Sequence, residues 1–87
     1  IVLLGNKAIG ERLGIKPRAK IIASALISTQ PTIMLTGPGP ATLKVLEKAQ
    51  LRLDQIDLFE VNEAFSSVVL HYIKELKVSQ DKINVNG

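Results

Sequence analysis

The chain has 87 residues, 46% hydrophobic and 22% charged, which excludes a disordered, collagen-like or low-complexity polymer and leaves one small domain. It has no cysteine, so disulfides, thiolate metal sites and a cysteine nucleophile are excluded for these residues. The net charge of +3 is local, with five basic and one acidic residue in 1–20 but six basic and seven acidic in 44–87; Phe59, Phe65 and Tyr72 are the only aromatics and no nucleic-acid motif is present, so nucleic-acid binding is not expected.

Ile1 to Leu4 is an apolar run of the kind that ends a buried strand. It has neither an initiator methionine nor a signal pattern, and Asn86-Gly87 closes no element, so the sequence is expected to be a segment cut from a longer chain. Asn6 is a good cap for a short helix over Lys7 to Leu13, closed by Gly14 with Pro17 beyond. Ala19 to Ser28, rich in Ile21, Ile22 and Ile27, is expected to form a strand. Residues 21–43 carry no charge over 23 positions. Gln30, Pro31, Gly37, Pro38, Gly39 and Pro40 interrupt that run, and it is not expected to span a membrane.

Thr32 to Pro40 resembles a pocket wall, with glycines allowing close approach and prolines holding the path. Pro40 suits a first helical position, and Leu43, Val45, Leu46 and Ala49 make an apolar stripe, predicting a helix over 40–50. Ile56 to Val61 is of strand length. Phe65, Val68, Val69, Tyr72, Ile73 and Leu76 recur with helical spacing, and Lys82 to Val85 begins another strand. The alternation of strands and helices predicts an α/β fold, a sheet with helices packed on it.

In such sheets the ligand crevice lies beyond the carboxyl ends of the strands, which singles out Val61-Asn62-Glu63-Ala64-Phe65. Asn62 offers two donors and an acceptor at that point. Chemistry alone favours a plain helix cap, since asparagine is a preferred cap residue. Glu63 has an equally plain reading as a first-turn carboxylate favoured by the helix dipole. His71 lies about 2.5 turns beyond Asn62 on the polar side and is expected to be an ordinary surface histidine.

Asp57 to Phe65 resembles the Asn-Glu-Ala-Phe signature of the thiolases, enzymes that make or cleave β-ketoacyl-CoA. Met34 to Thr42 is similar to the thiolase Met-x-Thr-Gly-Pro-x-Pro-Ala segment, and Leu51 through Ile56 to its Leu-x-x-x-Asp-Ile-Asp lead-in. Asn84-Val85-Asn86-Gly87 resembles the start of the segment that leads to Gly-His-Pro. Four motifs in order make this far more specific than one short pattern. The resemblance implies a thiolase-like fold, part of a mixed sheet with helices on it, and places residues 1–87 in the C-terminal domain.

By that resemblance, Asn62 holds a catalytic water that, with the Gly-His-Pro histidine, forms an oxyanion hole. Ala64 and Phe65 lie beside the pantetheine arm, Met34 lines the acyl pocket, and Glu63 orders loops of the active site. The implied substrates are acyl-CoA and CoA, with no covalently bound cofactor, no metal and commonly a homo-oligomeric parent. The family's nucleophilic cysteine, its second cysteine and its histidine have no counterpart in this chain, so they must come from the remainder of the thiolase, and the chain alone is expected to be inactive. Sterol-carrier-type thiolases carry His-Asp-Cys-Phe at 62–65, which disfavours that branch. A non-catalytic binding or oligomerisation module is the alternative. The family usually has glycine where Gln50 and Lys77 stand; if both adopt the left-handed cap conformation, each costs about 1 kcal/mol relative to glycine.

Overall fold

A computed structural model describes residues 1–87. Its helices are α1 (Lys7–Arg12), α2 (Pro38–Ala49) and α3 (Ser66–Leu76), with single 3-10 turns at Leu53–Gln55 and Gln80–Lys82. The Asn6 side chain accepts the Ile9 N–H at 2.9 Å and starts α1. Gly14, at φ 66, ends it, with Gly14 N–H on Glu11 O and Ile15 N–H on Gly10 O. This paired closure needs one left-handed residue, which glycine supplies without a Cβ clash.

The same closure ends α2, where Gln50 N–H donates to Glu47 O and Leu51 N–H to Leu46 O. Gln50 takes the left-handed position at φ 55, and Lys77 after α3 does so at φ 54, so the condition for the glycine argument is met at both. Helix α2 begins at Pro38 rather than Pro40, following Gly37. Its buried side is Gly39 and Leu46, while Leu43 of the expected stripe is exposed. The bare Gly39 lets the Glu75 carboxylate of α3 lie against the first turn of α2, where a negative charge suits the helix dipole.

The core sits between α3 and the segments that flank it. Phe59, Tyr72, Leu76 and Ile83 form its buried centre, and Ile56, Val69 and Ile73 pack around them. Phe59 and Tyr72 meet edge to face with ring centroids 6.0 Å apart. Burying such side chains contributes about 1.5–3 kcal/mol each. Helix α3 follows its sequence pattern at Val68, Tyr72 and Leu76, but Phe65 precedes the helix and is 63% exposed.

The expected sheet is not formed. Pairing between the 56–61 and 82–85 segments is limited to one parallel bridge, Phe59 with Ile83. There Phe59 N–H donates to Lys82 O at 2.8 Å and Asn84 N–H donates to Phe59 O at 2.9 Å. Residues 1–4 and 19–28 form no strand. Within 19–28, Ala23 and Ala25 are half-buried while Ser24 and Leu26 between them are exposed, the alternation of a strand with one covered face. The ladder itself is missing, because backbone N–H groups of this stretch find no backbone acceptor. Its carbonyls are held instead by α2, with Lys44 Nζ on Leu26 O at 2.9 Å and Lys48 Nζ on Ser24 O at 2.8 Å. A strand exists only by pairing with another, and no β-bridge joins this stretch to a second extended segment. The α/β expectation is therefore corrected to a helical arrangement with one isolated bridge.

The result is an open body. Its radius of gyration is 15.5 Å, against about 12 Å for a compact domain of this length. Its accessible surface is 7555 Å², against about 5,000 Å² for a folded monomer of this mass. Ile1, Leu4, Ile21, Ile22, Leu26 and Ile33 account for part of the apolar excess.

Candidate functional site

The Phe59–Ile83 bridge fixes two segments side by side, and both leave it toward the loop before α3. Beyond the bridge a parallel ladder would carry Val61 onto the next backbone groups of the 83–86 segment. Asn84 turns out of that path at φ 48, a conformation asparagine tolerates better than most residues. Its side-chain amide replaces the missing ladder bonds. Oδ1 accepts the Val61 N–H at 2.7 Å, and Nδ2 donates to Val61 O at 2.9 Å and to Glu63 Oε1 at 2.6 Å. The assignment of nitrogen and oxygen is unambiguous, because the Val61 N–H can only donate and the Glu63 carboxylate can only accept.

Asn62 lies between these two tethered residues, is exposed, and its own amide enters none of the chain's hydrogen bonds. It borders an open groove of about 390 Å³ walled by Pro38, Thr42 and Leu46 of α2, by Leu58 and Phe59, and by Tyr72. Asn62 is not a helix cap, since α3 begins at Ser66 and Phe65 precedes it. The same boundary removes Glu63 from the first helical turn and so from the helix-dipole reading. What engages Glu63 is Asn84.

The Tyr72 ring closes one side of the groove and ties α3 to α2. Thr42 Oγ1 donates to Pro38 O at 2.9 Å, so the 3.0 Å contact between Thr42 Oγ1 and Tyr72 Oη has the phenol as donor. Burial pushes the Tyr72 pKa above its ordinary 10.0, and the bond to Thr42 offsets part of that shift. At neutral pH the groove wall is uncharged at this point.

The other expected site residues are less closely grouped. Ala64 and Phe65 are exposed in the bend that leads into α3, and Met34 is 58% exposed in the loop before α2. None of the three lines the groove. Met34 and Leu35 have φ values of 40 and 63, an uncommon conformation for two successive residues with side chains. His71 is a surface residue, 3.6 Å from Glu75 one turn along α3, and plays no part in the groove.

A second groove, of about 470 Å³, is larger but chemically occupied. Arg52 is paired with Asp54 at 2.8 Å, and Lys82 Nζ donates to Ile56 O at 2.9 Å. The hydrogen bond from Arg52 lowers the Asp54 pKa, and its counterpart from Asp54 raises that of Arg52. No group of His, Asp or Glu is placed to hold a metal ion, and no helix is long and apolar enough to cross a membrane.

Sequence reading missed Asn84 as a functional position, treating it only as the start of a motif. The available signal was the residue type alone, since asparagine tolerates the left-handed conformation. Nothing local identifies Val61 and Glu63 as its partners.

Comparison with known proteins agrees with the motifs. The family described as "Thiolase, C-terminal domain" matches residues 15–87. A steroid 3-ketoacyl-CoA thiolase of Mycobacterium tuberculosis is 43% identical over 86 residues, covering 99% of this chain and 21% of the relative. A 3-ketoacyl-CoA thiolase of Klebsiella pneumoniae is 42% identical over 89 residues, covering 99% and 23%. Among solved structures, the Bacillus anthracis acetyl-CoA acetyltransferase superposes with a TM-score of 0.86 at 40% identity, covering 93% of this chain and 21% of that one. Human mitochondrial 3-ketoacyl-CoA thiolase gives 0.87 at 37% identity, covering 93% and 20%. The chain thus spans about a fifth of the length of these relatives, and over that fifth its backbone superposes on the two solved structures. On the match over residues 15–87 and that superposition, the chain belongs to the thiolase family as a stretch of its C-terminal domain.

Proposed function

We propose that the chain acts as one part of a thiolase that transfers acyl groups between CoA thioesters, by thiolysis of 3-ketoacyl-CoA or the reverse Claisen condensation. Asn62 is the group that takes part in chemistry. Its amide orders a water against the thioester carbonyl, and the water's proton stabilises the oxyanion as the carbonyl carbon becomes tetrahedral. A neutral amide suits this role because it holds a donor in place without exchanging its own proton. Met34, Ala64 and Phe65 stand outside the groove that Asn62 borders, and on the family match we assign them to the acyl and pantetheine portions of the substrate in the complete thiolase. The nucleophile is supplied from outside these residues, which contain no cysteine.

The observation that carries this reading is the free Asn62 amide, exposed at the rim of an apolar groove while its neighbours on both sides are tethered. The excess surface of roughly 2,500 Å² over a folded monomer supports a chain that completes itself against further thiolase sequence, since obligate interfaces are of that size. That surface also favours the second reading, a binding or oligomerisation module without chemistry.

The test uses the complete thiolase polypeptide containing residues 1–87, assayed with acetoacetyl-CoA and CoA. Asn62→Ala is expected to lower kcat by about 10²–10³. Unchanged turnover would remove Asn62 from the chemistry. No turnover by the unsubstituted polypeptide would leave the module reading. The 87 residues by themselves are expected to give none, and turnover by them would contradict the proposal.

A further inference from the structure

We infer that Asn84 is a positioning residue that sets the direction in which Asn62 faces the groove. The inference rests on the role proposed for Asn62 and adds the device that holds it. At Phe59 the two segments are joined through the backbone, with Phe59 N–H on Lys82 O and Asn84 N–H on Phe59 O. Asn84 follows Ile83 directly and turns away after its N–H at φ 48, so at Val61, two residues on from Phe59, one planar amide takes both polar groups in place of a backbone partner. Holding the N–H and the carbonyl of one residue on a single rigid group fixes that residue's φ and ψ together, and with them the path into Asn62. The third bond, from Nδ2 to Glu63 Oε1 at 2.6 Å, ties the residue on the other side. Asn62 is left with a fixed backbone, which sets where its side chain leaves the chain, and with an amide that no other group of the chain engages, so it is available to order the water. Two carbonyl and carboxylate acceptors face Nδ2, so only a donor-bearing group of this shape completes the arrangement.

The test is made in the same complete polypeptide with acetoacetyl-CoA and CoA. Asn84→Gly keeps the left-handed backbone, which glycine adopts freely, and removes the bridging amide. Its kcat is expected to fall about ten- to 100-fold, the effect of a small misplacement, with KM changed by less than about threefold. Asn84→Asp has the same shape but its carboxylate cannot donate to Val61 O. It also faces the Glu63 carboxylate, so the variant is expected to be impaired at neutral pH and to recover in part relative to the unsubstituted enzyme as the pH falls, because one proton taken up by the carboxyl pair relieves the repulsion and restores one of the two donated bonds. A general loss of structure would not produce that acid-side recovery. A folded Asn84→Gly enzyme with unchanged kcat, or an Asp variant with a flat relative pH profile, overturns the inference while leaving Asn62 in its role. Inactivity of the unsubstituted polypeptide overturns the thiolase reading, and this inference with it.

Discussion

Gln50→Gly removes a Cβ from a backbone position at φ 55 and ψ 39, where an L-residue crowds the carbonyl that follows it. That crowding costs about 1–2 kcal/mol, and glycine's extra freedom in the unfolded chain takes back about 0.5–1 kcal/mol. The net expectation is a gain of about 0.5–1 kcal/mol. Gly14 provides an internal standard, since it closes α1 with the same pair of hydrogen bonds that Gln50 uses for α2. Lys77→Gly should gain less, because Lys77 follows α3 at φ 54 and its charge is favourable at a helix C-terminus by about 0.3–1 kcal/mol. Thermal unfolding followed by circular dichroism should show Gln50→Gly melting about 2–8 °C higher. Lys77→Gly should shift less, and the pair should add, since the two caps share no hydrogen-bond partner. Gln50→Ala is the control that isolates the cause, because alanine keeps the Cβ and should give no gain. A gain with alanine equal to that with glycine, or none with glycine, would refute the conformational argument.

Tyr72→Phe removes the donor to Thr42 while keeping the ring against Phe59, and should cost about 1 kcal/mol in denaturant unfolding. Burial favours the neutral phenol, so its folded pKa lies above 10.0; the stability this confers is complete below pH 10 and is lost as pH rises through the folded value. Melting curves across alkaline pH should therefore fall more steeply for the unsubstituted chain than for Tyr72→Phe. Asn6→Ala should weaken α1 by about 1 kcal/mol, seen as faster hydrogen exchange at Ile9. Because α1 buries none of its residues, the overall melting midpoint should stay where it is.

The helices were legible in the sequence because their determinants are local. The Asn6 cap and Gly14 stop lie within one or two turns of the groups they satisfy, and the Val68-Tyr72-Leu76 stripe repeats at the helical period whatever packs on it. The left-handed positions at Gln50 and Lys77 were legible for a different reason, the glycine the family carries there. Strands were not legible in the same way. Residues 19–28 have the composition and alternating exposure of a strand, yet without a neighbour to receive its backbone hydrogen bonds the segment is held by Lys44 and Lys48 alone.

The candidate site divides along the same line. Residues 57–65 announced themselves by sequence, and so did the chemistry that an asparagine at position 62 can offer. Its cap reading failed because where α3 begins depends on packing, which puts Phe65 rather than Asn62 at the head of the helix. By itself the sequence determined the helices, the family and the absence of a cysteine nucleophile, all of which follow from residue identity and short-range spacing. Only the tertiary structure decided that Asn84, more than 20 residues away along the chain, grips both sides of Asn62. That contact depends on the Phe59–Ile83 bridge bringing two distant segments into register, and no local preference of either segment encodes it.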